Sequence, residues 1–205
     1  ANPFIPTFGV SPMVFAGRAS VVSSFGRGLD GGVGDPRRVL LLSGPRGIGK
    51  TVTLNELEDE AKRRGWVVLR AHPNAVVHPL VDTVIPQTLA TLRERPTVKR
   101  RITGIRASGW GIETEVDTSR KPSASLISSL NELSRELGPD SGILITVDEV
   151  QSADPEQLWE LTAAIQDLMR DNHNVAFAAA GLPEGIGALL QHPGTCLLYT
   201  SDAAD

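Results

Sequence analysis

Between positions 44 and 51 the chain reads Gly44-Pro45-Arg46-Gly47-Ile48-Gly49-Lys50-Thr51, the spacing G-x-x-x-x-G-K-S/T. These residue types in this order suit one task, the wrapping of backbone around phosphate. Glycine lets the chain turn tightly, so that consecutive N–H groups face the oxygens. A helix starting at the loop directs its positive end at the same anion. Lys50 supplies a mobile cation for the β- and γ-phosphates, Thr51 offers a hydroxyl to Mg2+, and Val52 completes the predicted nucleotide-binding segment.

The second constellation is Asp148-Glu149, directly after the apolar run Ile143-Leu144-Ile145-Thr146-Val147. Asp148 is placed to hold Mg2+, through water, and Glu149 to orient and deprotonate an attacking water. An acidic pair at a strand end is a weak motif by itself. Together with the glycine-rich loop it points to bound ATP with Mg2+, with Lys50 and Glu149 as the catalytic candidates and Thr51 and Asp148 as the metal ligands.

These residues need elements to carry them. Val39 to Leu42 is a short, bounded apolar run, as in a strand buried on both faces. After the loop, Leu54, Leu57 and Ala61 recur at helical spacing, and Gly65 ends that helix. Trp66 to Leu69 is a second strand candidate, and residues 80–95 read as a helix interrupted at Pro86. Residues 99–117, with Gly104, Gly109 and Gly111 among β-formers, suggest an inserted hairpin. Leu126, Leu130, Leu133 and Leu137 share one helical face, stopped by Gly138-Pro139. Ile143 to Val147 is the third strand. Asp154-Pro155-Glu156-Gln157 has the form of a capping box before the stripe Leu158, Leu161, Ile165 and Leu168. Val175 to Ala180 is the fourth strand. Strands alternating with helices predict an α/β domain with a mostly parallel sheet. Residues 1–13 read as an extended arm and 30–37 as a loop.

The chain has 205 residues, 40% hydrophobic and 21% charged, which suits one domain with a core and excludes a wholly disordered chain. No apolar run approaches the roughly 18 to 20 residues of a membrane span. The start of the chain lacks the pattern of a secretory signal. A formal net charge of -4 argues against binding nucleic acid by bulk charge alone, and the single cysteine rules out an internal disulfide. A soluble cytoplasmic protein is the expectation. Residues 196–205, Cys196 to Asp205, back-translate to the mosaic-end adapter of transposon-made sequencing libraries. They are expected to be a scar on a domain that spans residues 1–195 and is incomplete at its C-terminus.

Phe15-Ala16-Gly17-Arg18, upstream of the loop, resembles the F-x-G-R segment of AAA+ ATPases of the origin-recognition type and of related STAND-class ATPases. Asp148-Glu149-Val150-Gln151 and Gly181-Leu182-Pro183 are similar to the same group, and the likeness runs from Pro3 to about Gln191. The resemblance implies a P-loop NTPase three-layer sandwich with strand order 5-1-4-3-2, the fourth strand lying between the first and third. It implies that Gly17 and Arg18 flank the adenine, and that the intact protein binds Mg-ATP and hydrolyses it. Its implied partners are ATP, further copies in a homo-oligomer, and a DNA or protein engaged beyond residue 195. One departure stands out: the fourth strand ends Ala178-Ala179-Ala180, where the family usually carries a polar sensor. That leaves open a slow nucleotide-dependent signalling switch, and more remotely a small-molecule phosphotransferase. The strand, finger and lid that the family places after residue 195 are absent from this sequence, and without a fifth strand the first is expected at an exposed edge.

Other features read plainly. Arg93, Arg95, Lys99, Arg100, Arg101 and Arg106, with Trp110, form either a nucleic-acid contact or a solvated face, and the solvated face is favoured because one aromatic is thin evidence for stacking. The histidines have no metal-ligand spacing. Arg46 is expected to face solvent or a neighbouring subunit. Gln151 either approaches the γ-phosphate region beside Glu149 or caps the next helix.

Overall fold

The computed structural model describes residues 17–94 and 125–191. Four strands, β1 (Val39–Ser43), β2 (Val67–Ala71), β3 (Ile143–Val147) and β4 (Val175–Gly181), form one sheet in the order β1-β4-β3-β2. Every pairing is parallel. Each strand is a short apolar run with few exposed positions, which is the pattern a sheet covered on both faces requires. β4 lies between β1 and β3, as the resemblance implies, and aligns Leu42 with Ala180 and Val147 with Ala179. β1 is an edge strand among the described residues. The predicted hairpin at 99–117, the N-terminal arm with Phe15, and the tail at 196–205 lie outside the described residues.

Helices cover both faces. On one side α1 (Arg18–Asp30) and α2 (Lys50–Arg63) pack Phe25, Leu29, Leu54, Leu57 and Ala61 onto Leu40, Leu42, Leu144, Ala176, Ala178 and Ala180. On the other side α4 (Ile85–Glu94), α5 (Leu126–Leu137), α6 (Pro155–Arg170) and α7 (Pro183–Gln191) meet Leu41, Leu69, Ile145, Val147, Phe177 and Ala179. The result is a three-layer α/β sandwich. Its two apolar layers drive folding, each fully buried leucine contributing about 1.5–3 kcal/mol. The alanines of β4 have a packing reason: Ala176, Ala178 and Ala180 share the layer of α2, and small side chains let that helix approach the sheet.

Two helices were not anticipated, α1 and α7. The carbonyl end of α1 is held by the buried Arg38, which donates Nε to Gly28 O (2.9 Å), Nη2 to Leu29 O (2.9 Å) and Nη1 to Asn174 Oδ1 (3.0 Å). Its guanidinium also lies 5.0 Å from the centroid of the Trp66 ring. Burial pushes the Arg38 guanidinium below its usual range, but the side chain stays charged at any ordinary pH. Arg38→Ala would leave Leu29 O without this donor and Gly28 O with only the Gly31 N–H (3.2 Å), so urea unfolding should show a loss of about 1–3 kcal/mol. A midpoint equal to that of wild type would contradict this account of how α1 is attached.

The predicted interruption at Pro86 is corrected. The chain stays helical from α3 (Val77–Pro79) through a π-helical turn (Leu80–Val84) into α4, where Pro86 is the second residue. The wider turn before Pro86 absorbs the missing N–H and the ring that an unbroken α-helix would exclude. Arg93 on α4 donates to Glu132 Oε1 (2.7 Å) on α5. It therefore ties two helices together, while the other members of that cluster, Arg95, Lys99, Arg100, Arg101, Arg106 and Trp110, lie outside the described residues.

Candidate nucleotide site

The glycine-rich loop connects β1 to α2. Gly44 N–H donates to Gly181 O at 3.4 Å, which ties the loop's first residue to the end of β4. Gly47 (φ 78) and Gly49 (φ 90) both adopt left-handed backbone. A Cβ added at Gly47 would meet nothing within 4 Å, so the backbone conformation alone requires glycine there. Pro45, Arg46 and Gly47 are exposed and Ile48 is half-buried. Arg46 thus faces outward, as expected.

Gly49 caps α2 with no side-chain hydrogen bond, and the first turn carries no acid. The first N–H groups of a helix have no carbonyl partner within it. Here they remain available at the positive helix end, on a loop bent to collect them, which is the donor set a phosphate needs. Lys50 is buried, and its Nζ donates to Gly44 O (2.7 Å) and Pro45 O (2.9 Å). Its ammonium is folded back over the loop, within reach of an anion held there. Val52 stands 48% exposed beside the loop, an apolar surface on the first turn of α2.

Thr51 and Asp148 come from positions 97 residues apart, and Thr51 Oγ1 donates to Asp148 Oδ2 at 2.7 Å. One hydroxyl and one carboxylate is the small oxygen set that suits Mg2+ when phosphates and waters supply the remaining ligands. The chemistry of these donors fits the ion. Asp148 Oδ1 accepts from Glu149 N–H (2.9 Å), and Glu149 sits at φ 53, ψ 48, a left-handed conformation uncommon outside glycine. The Glu149 carboxylate accepts from Gln151 Nε2, while Gln151 Oε1 accepts from Leu182 N–H at 2.9 Å. Gln151 does not cap the next helix. Asp154 does, accepting from Glu156 N–H at 3.0 Å. Gln157, the expected partner in that capping box, donates its Nε2 to Asp154 Oδ2 at 3.3 Å, and its Oε1 accepts from the N–H groups of Val76 and Val77 at 3.0 and 3.2 Å.

Sequence reasoning missed the brace behind this site. Glu58 on α2 is buried and accepts from Thr146 Oγ1 on β3 at 2.8 Å and from Arg70 Nε on β2 at 3.1 Å. The Glu58 carboxylate raises the Arg70 guanidinium above its usual range, with Asp148 adding a smaller attraction. Glu58 lies two helical turns after Thr51, and Thr146 two residues before Asp148. The two contacts Glu58–Thr146 and Thr51–Asp148 therefore set α2 against β3 like rungs. A charged residue within the apolar stripe of α2, opposite a threonine in an otherwise apolar strand, was the signal available.

Gly17 and Arg18 begin α1, where Arg18 Nη1 lies 3.6 Å from Glu56 Oε1 on the second turn of α2. They stand beside the helix that follows the loop.

The sheet order, the loop and the acids at the carboxyl end of β3 define a P-loop nucleotide-binding domain. The profile of the AAA ATPase domain matches residues 14–177, most of the chain, and the protein belongs to that family of ATP-binding domains. No curated protein matches the sequence. Among the described residues no helix is long and apolar enough to cross a membrane.

Proposed function

We propose that this protein binds Mg-ATP and hydrolyses it, as an AAA+ ATPase of the origin-recognition or STAND-like kind. The observation that carries the reading is the 2.7 Å contact between Thr51 and Asp148, at the open end of α2. The amides of residues 44–51 hold the phosphates and Lys50 neutralises them. Thr51 and Asp148 hold Mg2+. Gly17 and Arg18 flank the adenine, Val52 completes the nucleotide-binding segment after the loop, and Glu149 takes the proton from the attacking water. Bound Mg2+ supplies charge neutralisation at the β- and γ-oxygens.

Calorimetry with ATP, with and without magnesium, tests this. Asp148→Asn should weaken Mg-ATP binding about tenfold or more, the worth of about 1.4 kcal/mol, while leaving magnesium-free binding unchanged. An equal loss with and without magnesium would remove Asp148 as a metal ligand. A second reading, a slow nucleotide-dependent signalling switch, is favoured by the alanines that end β4. Those methyl groups cannot position water. A turnover well below one per minute with tight nucleotide binding would select it.

A further inference from the structure

We propose that Gln151 is a positioning residue, a strut that holds the Glu149 carboxylate against the end of β4 in place of a polar side chain on that strand. The inference rests on the reading of Glu149 as the base in ATP hydrolysis.

Three independent features support the strut. First, the Gln151 amide is used at both ends: Nε2 donates to the Glu149 carboxylate and Oε1 accepts from Leu182 N–H at 2.9 Å. Glutamine supplies both a donor and an acceptor, which neither glutamate nor leucine does. Second, the surrounding backbone leaves room for this side chain. A Cβ at Gly181 would lie 2.9 Å from Gln151 Oε1, the atom that accepts from Leu182 N–H; at Gly185 it would lie 2.7 Å from Gln151 Cβ and 2.8 Å from its Cα and N, so that glycine brings α7 close to the backbone of residue 151. Third, β4 has nothing else to offer. Val147, at the end of β3, pairs with Ala179, and Ala180 and Gly181 follow beside the acids. The Leu182 main-chain N–H is the polar group that β4's end presents here, and Gln151 carries it to Glu149.

Glu149 needs such support. Its backbone is left-handed, held by the bond from its own N–H to Asp148 Oδ1. That bond fixes the main chain and leaves the side-chain torsions free. A carboxylate free to swing loses alignment with an attacking water, and an error of about 1 Å costs on the order of 10²-fold in rate.

The test uses the full chain with Mg-ATP and follows phosphate release for Gln151→Leu, Gln151→Glu, Glu149→Gln and the double variant Glu149→Gln with Gln151→Leu. Both Gln151 variants should lose about 10- to 100-fold in kcat with KM within about twofold. The glutamate variant keeps the acceptor for Leu182 N–H but sets a second carboxylate against Glu149, so its loss includes like-charge repulsion. The double variant makes the separation: were Gln151 merely holding β4 and α7 together, Gln151→Leu would add its own loss in the Glu149→Gln background as well. With Glu149→Gln in place, Gln151→Leu should add no further loss, since the strut then has no base to aim. A further readout needs no turnover. In 15N-labelled, nucleotide-free protein, the Gln151 side-chain NH2 resonances should move on Glu149→Ala, and unmoved resonances overturn the strut. If Glu149→Gln is inactive yet Gln151→Glu keeps wild-type kcat, the strut alone fails. If Glu149→Gln itself turns over like wild type, the ATPase base is misassigned and the strut loses its purpose.

Discussion

Lys50→Ala is expected to abolish ATP binding in calorimetry at concentrations where the wild-type chain saturates. The loss should be at least about 100-fold in Kd. Lys50 as a residue is 9% exposed, and its ammonium is bonded to two loop carbonyls, Gly44 O and Pro45 O. It therefore sits in a place where water competes poorly, and charge-assisted bonds to phosphate are strong there, each worth about 1.5–3 kcal/mol. Two such contacts correspond to the expected loss. Folding is not the cause, because β1, β4 and the apolar face of α2 do not involve this side chain. The melting temperature of the nucleotide-free variant should stay within a few degrees. Lys50→Arg should not restore binding, since a flat guanidinium fork cannot replace a compact point charge in this position. Binding by Lys50→Ala with a wild-type Kd would show that the loop is not the phosphate cradle.

Glu149→Gln should retain Mg-ATP affinity and lose turnover by about 10²–10⁴-fold, the ordinary contribution of a positioned general base. The substitution is nearly isosteric. Its amide oxygen still accepts from Gln151 Nε2, and its backbone can keep the bond from its N–H to Asp148 Oδ1. What disappears is the ability to take a proton. Binding is unchanged because Thr51, Lys50 and the amides of the loop are untouched. Phosphate release at the wild-type rate would refute the assignment. A parallel loss of affinity would mean that Glu149 contributes to the metal or phosphate site instead.

The strands and the phosphate loop were readable because their signals are local. Four short apolar runs, a glycine spacing and a pair of acids each lie within a few consecutive residues. α1 was not readable, for a physical reason. Its apolar positions Val21, Val22, Phe25 and Leu29 have helical spacing, but Gly26 and Gly28 interrupt them, and each interior glycine costs about 1 kcal/mol in propensity. The structure explains why they are there. A Cβ at Gly26 would lie 2.6 Å from Glu60 Oε1 of α2, and one at Gly28 would lie 2.7 Å from Arg37 Cβ. Gly28 serves close approach between elements, since the Arg37 Cβ and backbone cannot give way, whereas at Gly26 the neighbours are the movable ends of Glu60 and Arg64; no propensity scale registers either contact. Pro86 misled in the opposite sense, because a π-helical turn upstream accommodates a residue that by itself reads as a break.

What the order of residues determined alone is the chemical inventory: a phosphate-wrapping loop, a lysine, a hydroxyl, and two carboxylates at the end of a buried strand. Its assembly into a site was settled by folding in three dimensions. β4 entered between β1 and β3, bringing Leu182 N–H to Gln151 and turning Ala178 and Ala180 toward α2. The buried Glu58 braced α2 on β3, so that Thr51 met Asp148 across 97 residues. Such contacts depend on how elements cross and on which small residues permit the crossing. Those are properties of pairs distant in the chain, and a pattern read along a single strand or helix does not contain them.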